Sequence, residues 1–454
     1  MATLGVFSSV SVGFEDPYVP ARQKVVVVDV EERVPQYLDV RPGFSTGEGF
    51  RVSFEYGHRN LGGQAISLTL RSQLGYLPTA FILESDVQKK YNELHVGERL
   101  ERRDTATVEF PNIGLGPLFR LSVEGVDVRD NARDYGLSKD AGIVTLAYRP
   151  DRRFSVQLGT SLERNYAQIF GDDQKDALKC YLQDHPQQQA LFRVPQGVSI
   201  AIAERLGVTW DRRDNPLNAT SGTFISASVE HVHANPSDRA ASQDTGCAGG
   251  GAPPVATGQP LIDPFQSVPS DFLRYTSRFA GYVRLSDKGL ALAMSFRWGV
   301  IQHLLSGSQT YPDRLFFLGG VDSLRGFLQD SVVPQDIAKR LLDPSSGLSL
   351  NDVVIRGGDI FLNPRAELRI PLGGSVETAL FLDAGNLWTA PARVQPFDLR
   401  YAVGTGLRIA TPIGPLVFDY GFNVDRVLDD IFPKRDNQRF WEDLGAFHFS
   451  IGLY

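Results

Sequence analysis

The 454-residue chain is poor in several residue types and patterns. It has only two cysteines and two methionines. It has no run of about 18 apolar residues, so no segment reads as a transmembrane helix. Met1-Ala2-Thr3-Leu4-Gly5 offers neither a basic start nor a long apolar stretch and does not read as a secretory signal. The seven histidines are scattered without metal-ligand spacing. His231 and His233 share one strand face, a pattern that a solvated strand end explains better than a metal pair. No Gly-x-Ser-x-Gly nucleophile elbow occurs. These absences argue against an enzyme and imply no metal, nucleotide or redox cofactor. A net charge of −7 argues against nucleic acid as a partner. Cys180 and Cys247 are a candidate disulfide, provided that both face an oxidising exterior.

What the chain has is alternation with period two, the mark of a strand with two different faces. In 65–71, Ile66, Leu68 and Leu70 oppose Ser67, Thr69 and Arg71. In 290–300, Leu290, Leu292, Met294, Phe296, Trp298 and Val300 oppose Ala291, Ala293, Ser295, Arg297 and Gly299. Phe447, Phe449, Ile451 and Leu453 oppose His448, Ser450 and Gly452 at the end of the chain. Sixteen such segments are expected. The first is 50–58, the third 79–92, the fourth 105–111, the sixth 141–149 and the last 445–454.

The connections differ by parity. Those after even-numbered segments are mostly short, such as Leu77-Pro78, Asp287-Lys288-Gly289 and Pro412-Ile413-Gly414-Pro415; Asp211–Ser221, after the eighth, is longer but rich in turn residues. Those after odd-numbered segments are often long: 166–196, 234–270, 303–357, 389–399 and 425–444. A soluble sandwich has no reason to sort loop length this way, whereas a membrane barrel has short turns on one side and long loops on the other. A mean hydropathy of −0.16 fits a wall whose lipid-facing and lumen-facing residues average out. The expected fold is all-β: a sixteen-stranded antiparallel transmembrane β-barrel over residues 37–454, wide enough for a polar interior. Glu204 is the exception, falling on the apolar face of Val198–Trp210, where a bulge or an interfacial position would accommodate it.

Residues 1–36 differ. Val10–Phe14 and Lys24–Glu31 read as two strands, and Val25-Val26-Val27-Val28 suits a packed domain rather than a barrel wall. Two strands make no stable core alone, so this region reads as the end of a domain whose beginning lies outside the chain, through processing or truncation.

Several segments carry a more specific signal. The long loop 303–357 contains Phe316-Phe317-Leu318-Gly319-Gly320-Val321-Asp322-Ser323-Leu324-Arg325-Gly326-Phe327. It is joined by Phe381–Trp388, Thr411–Gly421, Asp211–Gly222 and the final Phe-x-Phe-x-Ile-Gly. Together, and in this order, they resemble the BamA/TamA family of outer-membrane assembly factors. Residues 4–36 resemble the end of a POTRA module, the periplasmic repeat that precedes such barrels, here as a partial α/β remnant. The resemblance spans nearly the whole chain, except that the loops holding Cys180 and Cys247 match nothing in it.

Alternation places Glu367 and Asp383 on lumenal faces of neighbouring strands. A guanidinium is always charged and its planar fork suits carboxylates. Arg325 is therefore expected to fold inward with its loop and bridge Glu367 and Asp383, a pairing that the resemblance also implies. Gly326 would permit close approach or a positive φ, and Phe327 would pack on the lumen wall, so Leu324, Arg325, Gly326 and Phe327 form the expected lock.

The second expected element is a lateral seam between the first and last strands. It would involve Gly49, Phe50, Val52, Phe54 and Tyr56 on one side and Phe447, Phe449, Ile451, Gly452 and Tyr454 on the other. An open strand edge templates an incoming strand.

The implied function is insertion, folding or translocation of β-barrel clients through that seam in a bacterial outer membrane. The implied partners are membrane lipid, unfolded outer-membrane clients or a secreted passenger, and periplasmic accessory proteins bound through POTRA modules. The alternatives are a two-partner-secretion pore, a passive porin and a structural surface-antigen barrel.

Overall fold

The computed structural model describes residues 5–20, 22–192, 194–216, 218–237, 263–411, 414–432 and 441–451. Strands β1 (Phe7–Phe14) and β2 (Val26–Glu32) pair with each other in a sheet of their own. The next sixteen strands close a barrel. They are β3 (Gln36–Ser45), β4 (Gly49–Leu61), β5 (Ile66–Tyr76), β6 (Leu100–Phe110), β7 (Phe119–Asn131), β8 (Tyr135–Tyr148), β9 (Phe154–Ile169) and β10 (Gly197–Asp211). They continue with β11 (Gly222–Pro236), β12 (Ser270–Arg284), β13 (Ala291–His303), β14 (Ile360–Gly373), β15 (Val376–Trp388), β16 (Arg400–Thr411), β17 (Gly414–Asn423) and β18 (Gly445–Ile451). Each pairs antiparallel with its neighbours in sequence, and β18 meets β3 to close the ring.

The side chains explain the closure. Along β13, Met294, Phe296 and Trp298 stand outward and exposed, while Ala291 and Ala293 are buried on the other face. Leu158, Leu206, Phe279, Leu382 and Phe447 repeat the outward apolar pattern around the wall. In water such a surface would be costly; against acyl chains it is the favoured one, and the ring gives every barrel strand a neighbour on both sides. Among the described residues no helix is long and apolar enough to cross a membrane.

Two expected strands require correction. The first barrel strand is Gln36–Ser45, not 50–58, which lies within the second. Pro42 and Gly43 interrupt its pattern, and proline belongs at sheet edges. The segment 79–92 is not a strand: Thr79–Phe81 forms a 3-10 turn and Ser85–Glu93 a helix. Val87, Lys90 and Tyr91 are buried there with helical spacing. Two other strands extend past the expected bounds, β6 starting at Leu100 and β8 at Tyr135.

The long connections gather at one end of the barrel. Leu178, Tyr181 and Leu182 of the helix Asp172–Asp184 pack with Val333, Ile337, Val353 and Val354 of the loop 304–359. This cluster is the hydrophobic core of a cap. From it the rest of that loop descends into the lumen.

Candidate functional site: the lumenal lock and the seam

The loop enters the barrel through residues that bury apolar surface at each step. Phe316, Leu318, Leu324, Phe327 and Val332 pack with Phe361, Leu387 and Ala402 of the wall. Phe327 is 3% exposed and Leu324 fully buried. The turn between them is tight: the Gly320 amide donates to the Phe327 carbonyl at 3.0 Å, and the Phe327 amide to the Leu324 carbonyl at 3.1 Å.

This packing leaves Arg325 1% exposed. Its Nε and Nη2 donate to the two oxygens of Asp383 at 2.8 and 2.9 Å, and its own backbone amide donates to Asp383 at 3.2 Å. Nη1 donates to Glu367 at 2.6 Å and lies 3.4 Å from Asp419. The guanidinium carbon sits 3.5 Å from the centre of the Phe381 ring, within cation–π range. Burial pulls the pKa of Arg325 down, but Asp383, Glu367 and Asp419 push it up further, so the net shift is upward and the group stays charged. The carboxylates have other partners as well. Arg365 reaches Asp383 at 3.1 Å, and Arg369 and Arg408 reach Glu367 at 2.8 and 3.0 Å.

The structure thus brings Arg325 to Glu367 on β14 and Asp383 on β15. It adds two residues not anticipated in the sequence. Asp419 on β17 is 1% exposed and shares Arg325. His448 on β18 places Nε2 3.1 Å from the Arg325 carbonyl, tying the loop to the last strand. Alternation within Val417–Gly421 and Phe447–Ile451 marks both as lumenal; which loop reaches them is not written in the strands.

Glycine permits this approach. A Cβ on Gly326 would lie 2.7 Å from the Ala402 Cβ and 2.9 Å from the Phe422 carbonyl oxygen. One on Gly421 would lie 2.4 Å from the Arg325 carbonyl oxygen. Neither glycine has a positive φ, so close contact is the reason for each.

The seam departs from expectation. Gly49, Phe50, Val52, Phe54 and Tyr56 are on β4 and pair with β3 and β5, not with the last strand. The strand adjoining β18 is β3, because Gln36–Ser45 fills the first position. Among the described residues the β18–β3 register has two pairs, Ser450 with Ser45 and Ile451 with Phe44. The β17–β18 register has seven and the β3–β4 register ten. Beyond these pairs, the Thr46 amide donates to the Phe449 carbonyl at 2.9 Å, and the Phe449 amide to the Thr46 hydroxyl at 3.2 Å. An aromatic row, Phe418, Phe449, Phe44 and Phe50, crosses the junction with ring centres 4.8, 5.8 and 4.8 Å apart. Gly452 and Tyr454 lie outside the described residues.

Other expectations can be placed. Glu204 does face outward, but the register of β10 with its neighbours is continuous and no bulge occurs. It meets His231 Nδ1 at 2.9 Å, and His231 Nε2 meets Asp271 at 2.9 Å. Partners, rather than a bulge, accommodate it. Among the described residues no group of three or more such side chains is arranged to hold a metal ion. Cys180 sits on the helix Asp172–Asp184; Cys247 lies outside the described residues.

Comparison with known proteins follows this geometry. The solved BamA structure from Haemophilus ducreyi lacking POTRA domains 1–3 matches with a TM-score of 0.64 at 17% identity, over 99% of this chain and 76% of that one. CdiB from Acinetobacter baumannii matches at 0.53 and 12% identity, over 99% and 66%. These likenesses show the fold. By sequence, the outer membrane protein assembly factor BamA of Nitratidesulfovibrio vulgaris is 27% identical over 187 residues, 40% of this chain and 20% of that protein. The chloroplastic outer envelope protein 80 of Arabidopsis thaliana is 29% identical over 151 residues, 31% of this chain and 15% of that protein. The matched segments thus span at most a fifth of either curated relative. The Omp85 superfamily domain matches residues 44–454, all but the first strands of the chain. A sixteen-stranded barrel that closes between its first and last strands, with its longest loop seated in the lumen, is accordingly an outer-membrane member of the Omp85 superfamily.

Proposed function

We infer that this protein assembles outer-membrane proteins, inserting and folding β-barrel clients through the seam between β3 and β18 in a bacterial outer membrane. The observation that supports this reading is the seam, where among the described residues two register pairs join β18 to β3 against seven on its other side. Backbone groups left unpaired in lipid cost several kcal/mol each, so a sparsely paired edge is favourable to a client strand that can complete it. The assembly-factor relative and the BamA likeness support the same reading. The lock has a structural role in it: Arg325 seats the loop on Glu367, Asp383 and Asp419 and obstructs the lumen, leaving the lateral route. Residues 1–36 would be the last part of a POTRA module, through which periplasmic accessory proteins are reached.

Reconstitution tests the reading. Liposomes holding the protein should accelerate folding of a test barrel relative to empty liposomes, with small conductance in planar bilayers. Unchanged folding rates combined with a large steady conductance would instead establish a pore that passes solutes or a secreted passenger.

A further inference from the structure

Beside the seated loop the lumen keeps a cavity of about 970 Å³. Its lining is basic in an unusual way. Arg278 of β12 and Arg297 of β13 stand directly opposite each other in register. Both point into the lumen, since the adjacent Phe279 and Phe296 are exposed outward. Like charges placed directly across a strand pair repel and destabilise it. Among the described residues neither arginine has a carboxylate oxygen within 4.0 Å, and neither does Arg205 of β10. Arg297 donates to the Asp322 carbonyl at 2.7 Å, and Arg278 hydrogen-bonds to no described residue.

The contrast with other arginines of the same cavity is direct. Arg314 meets Glu163 at 2.7 Å and Glu230 at 3.6 Å, with Asp313 as its third carboxylate partner. Glu230 is in register with Arg205, yet its carboxylate turns to Arg314 and to Arg274 at 3.8 Å. Hydroxyls fill the wall between the arginines. Ser226 pairs in register with Arg278, and Ser228 and Thr276 meet at 2.8 Å. Two opposed guanidinium forks beside hydroxyl donors supply more hydrogen-bond donors than one carboxylate can use. They match the several oxygens of a phosphate.

We propose that this cavity binds a phosphate-bearing anion, with Arg278 and Arg297 as paired donors and Arg205 at the rim. The proposal does not depend on the seam. The cavity is larger than one phosphate group needs, so the natural ligand carries that group on a larger body, either a soluble molecule or a lipid headgroup.

The test uses the full chain in phospholipid-free detergent and chloride-poor buffer, titrated with inorganic pyrophosphate by calorimetry. Saturable binding is expected, weakened at least tenfold in Arg278→Gln and in Arg297→Gln. Without pyrophosphate, the thermal midpoint of Arg278→Gln should equal or exceed that of the parent, because a repelling charge is gone. Should that variant fail to fold, Arg278→Lys, which keeps charge but not the fork, should fold and bind with intermediate strength. Competition by lysophosphatidic acid assigns the ligand to lipid; its failure to compete assigns a soluble phosphate compound. Absence of saturable pyrophosphate binding, binding indifferent to both substitutions, or binding of polyglutamate in its place would each overturn the proposal.

Discussion

On the wall formed by β14, β15 and β17, Glu367, Asp383 and Asp419 converge on one arginine that the loop carries in. On the wall formed by β10, β12 and β13, Arg205, Arg278 and Arg297 line a cavity, and among the described residues none of the three has a carboxylate oxygen within 4.0 Å. The carboxylates of the first wall are paired with arginines of the chain itself, and the second wall has donors to spare. A buried charge must be paired to be tolerated, while a charge facing water in a wide lumen need not be. Substitutions in the two walls should therefore act with opposite sign, the first destabilising and the second neutral or stabilising.

Removing Arg325 should have the largest effect. Arg325→Ala strands Asp383 and Glu367 with only their secondary arginines. Breaking a buried pair costs on the order of 3–5 kcal/mol. The heat-modified gel shift should move to lower temperature, with slowed client folding; an unchanged shift and full activity would remove the lock from the account. Gly421→Ala comes next. Its new Cβ would meet the Arg325 carbonyl oxygen at 2.4 Å, and overpacking of this kind costs about 1–3 kcal/mol. Protease cleavage within the loop 304–359 should rise, whereas equal cleavage would mean that the loop does not need this approach. Phe44→Ala should cost less, about 0.5–1.5 kcal/mol for a lost aromatic pair. The effect should appear as reduced β3–β18 crosslinking, and unchanged crosslinking would show that the ring row does not hold the seam. Arg278→Gln should change stability least, by no more than about 1 kcal/mol and toward greater stability, read from its thermal midpoint.

The legibility of these features follows how local each one is. Alternation is a property of single strands, so β13 or β17 could be read directly, faces included. The same rule put Glu367 and Asp383 in the lumen. It marked Asp419 and His448 equally, but their partner arrives from a loop about a hundred residues away, and no local pattern announces that. The opposition of Arg278 and Arg297 depends on register between strands, which alternation leaves open. At the seam the reading failed for a physical reason: Pro42 and Gly43 interrupt the alternation of Gln36–Ser45, and proline and glycine inside a segment read against a strand. The spurious strand at 79–92 offset the missing one in the count, so the total of sixteen concealed a displaced seam.

The central claim is that β18 must part from β3 for a client to fold. Ser45 and Ser450 are in register across that junction, so the double variant Ser45→Cys/Ser450→Cys offers a reversible bolt. The parent chain, with its own Cys180 and Cys247, is treated in parallel as the control. In liposomes, the oxidised variant should lose acceleration of client folding and regain it on reduction. Full acceleration with the bond quantitatively formed would contradict the claim.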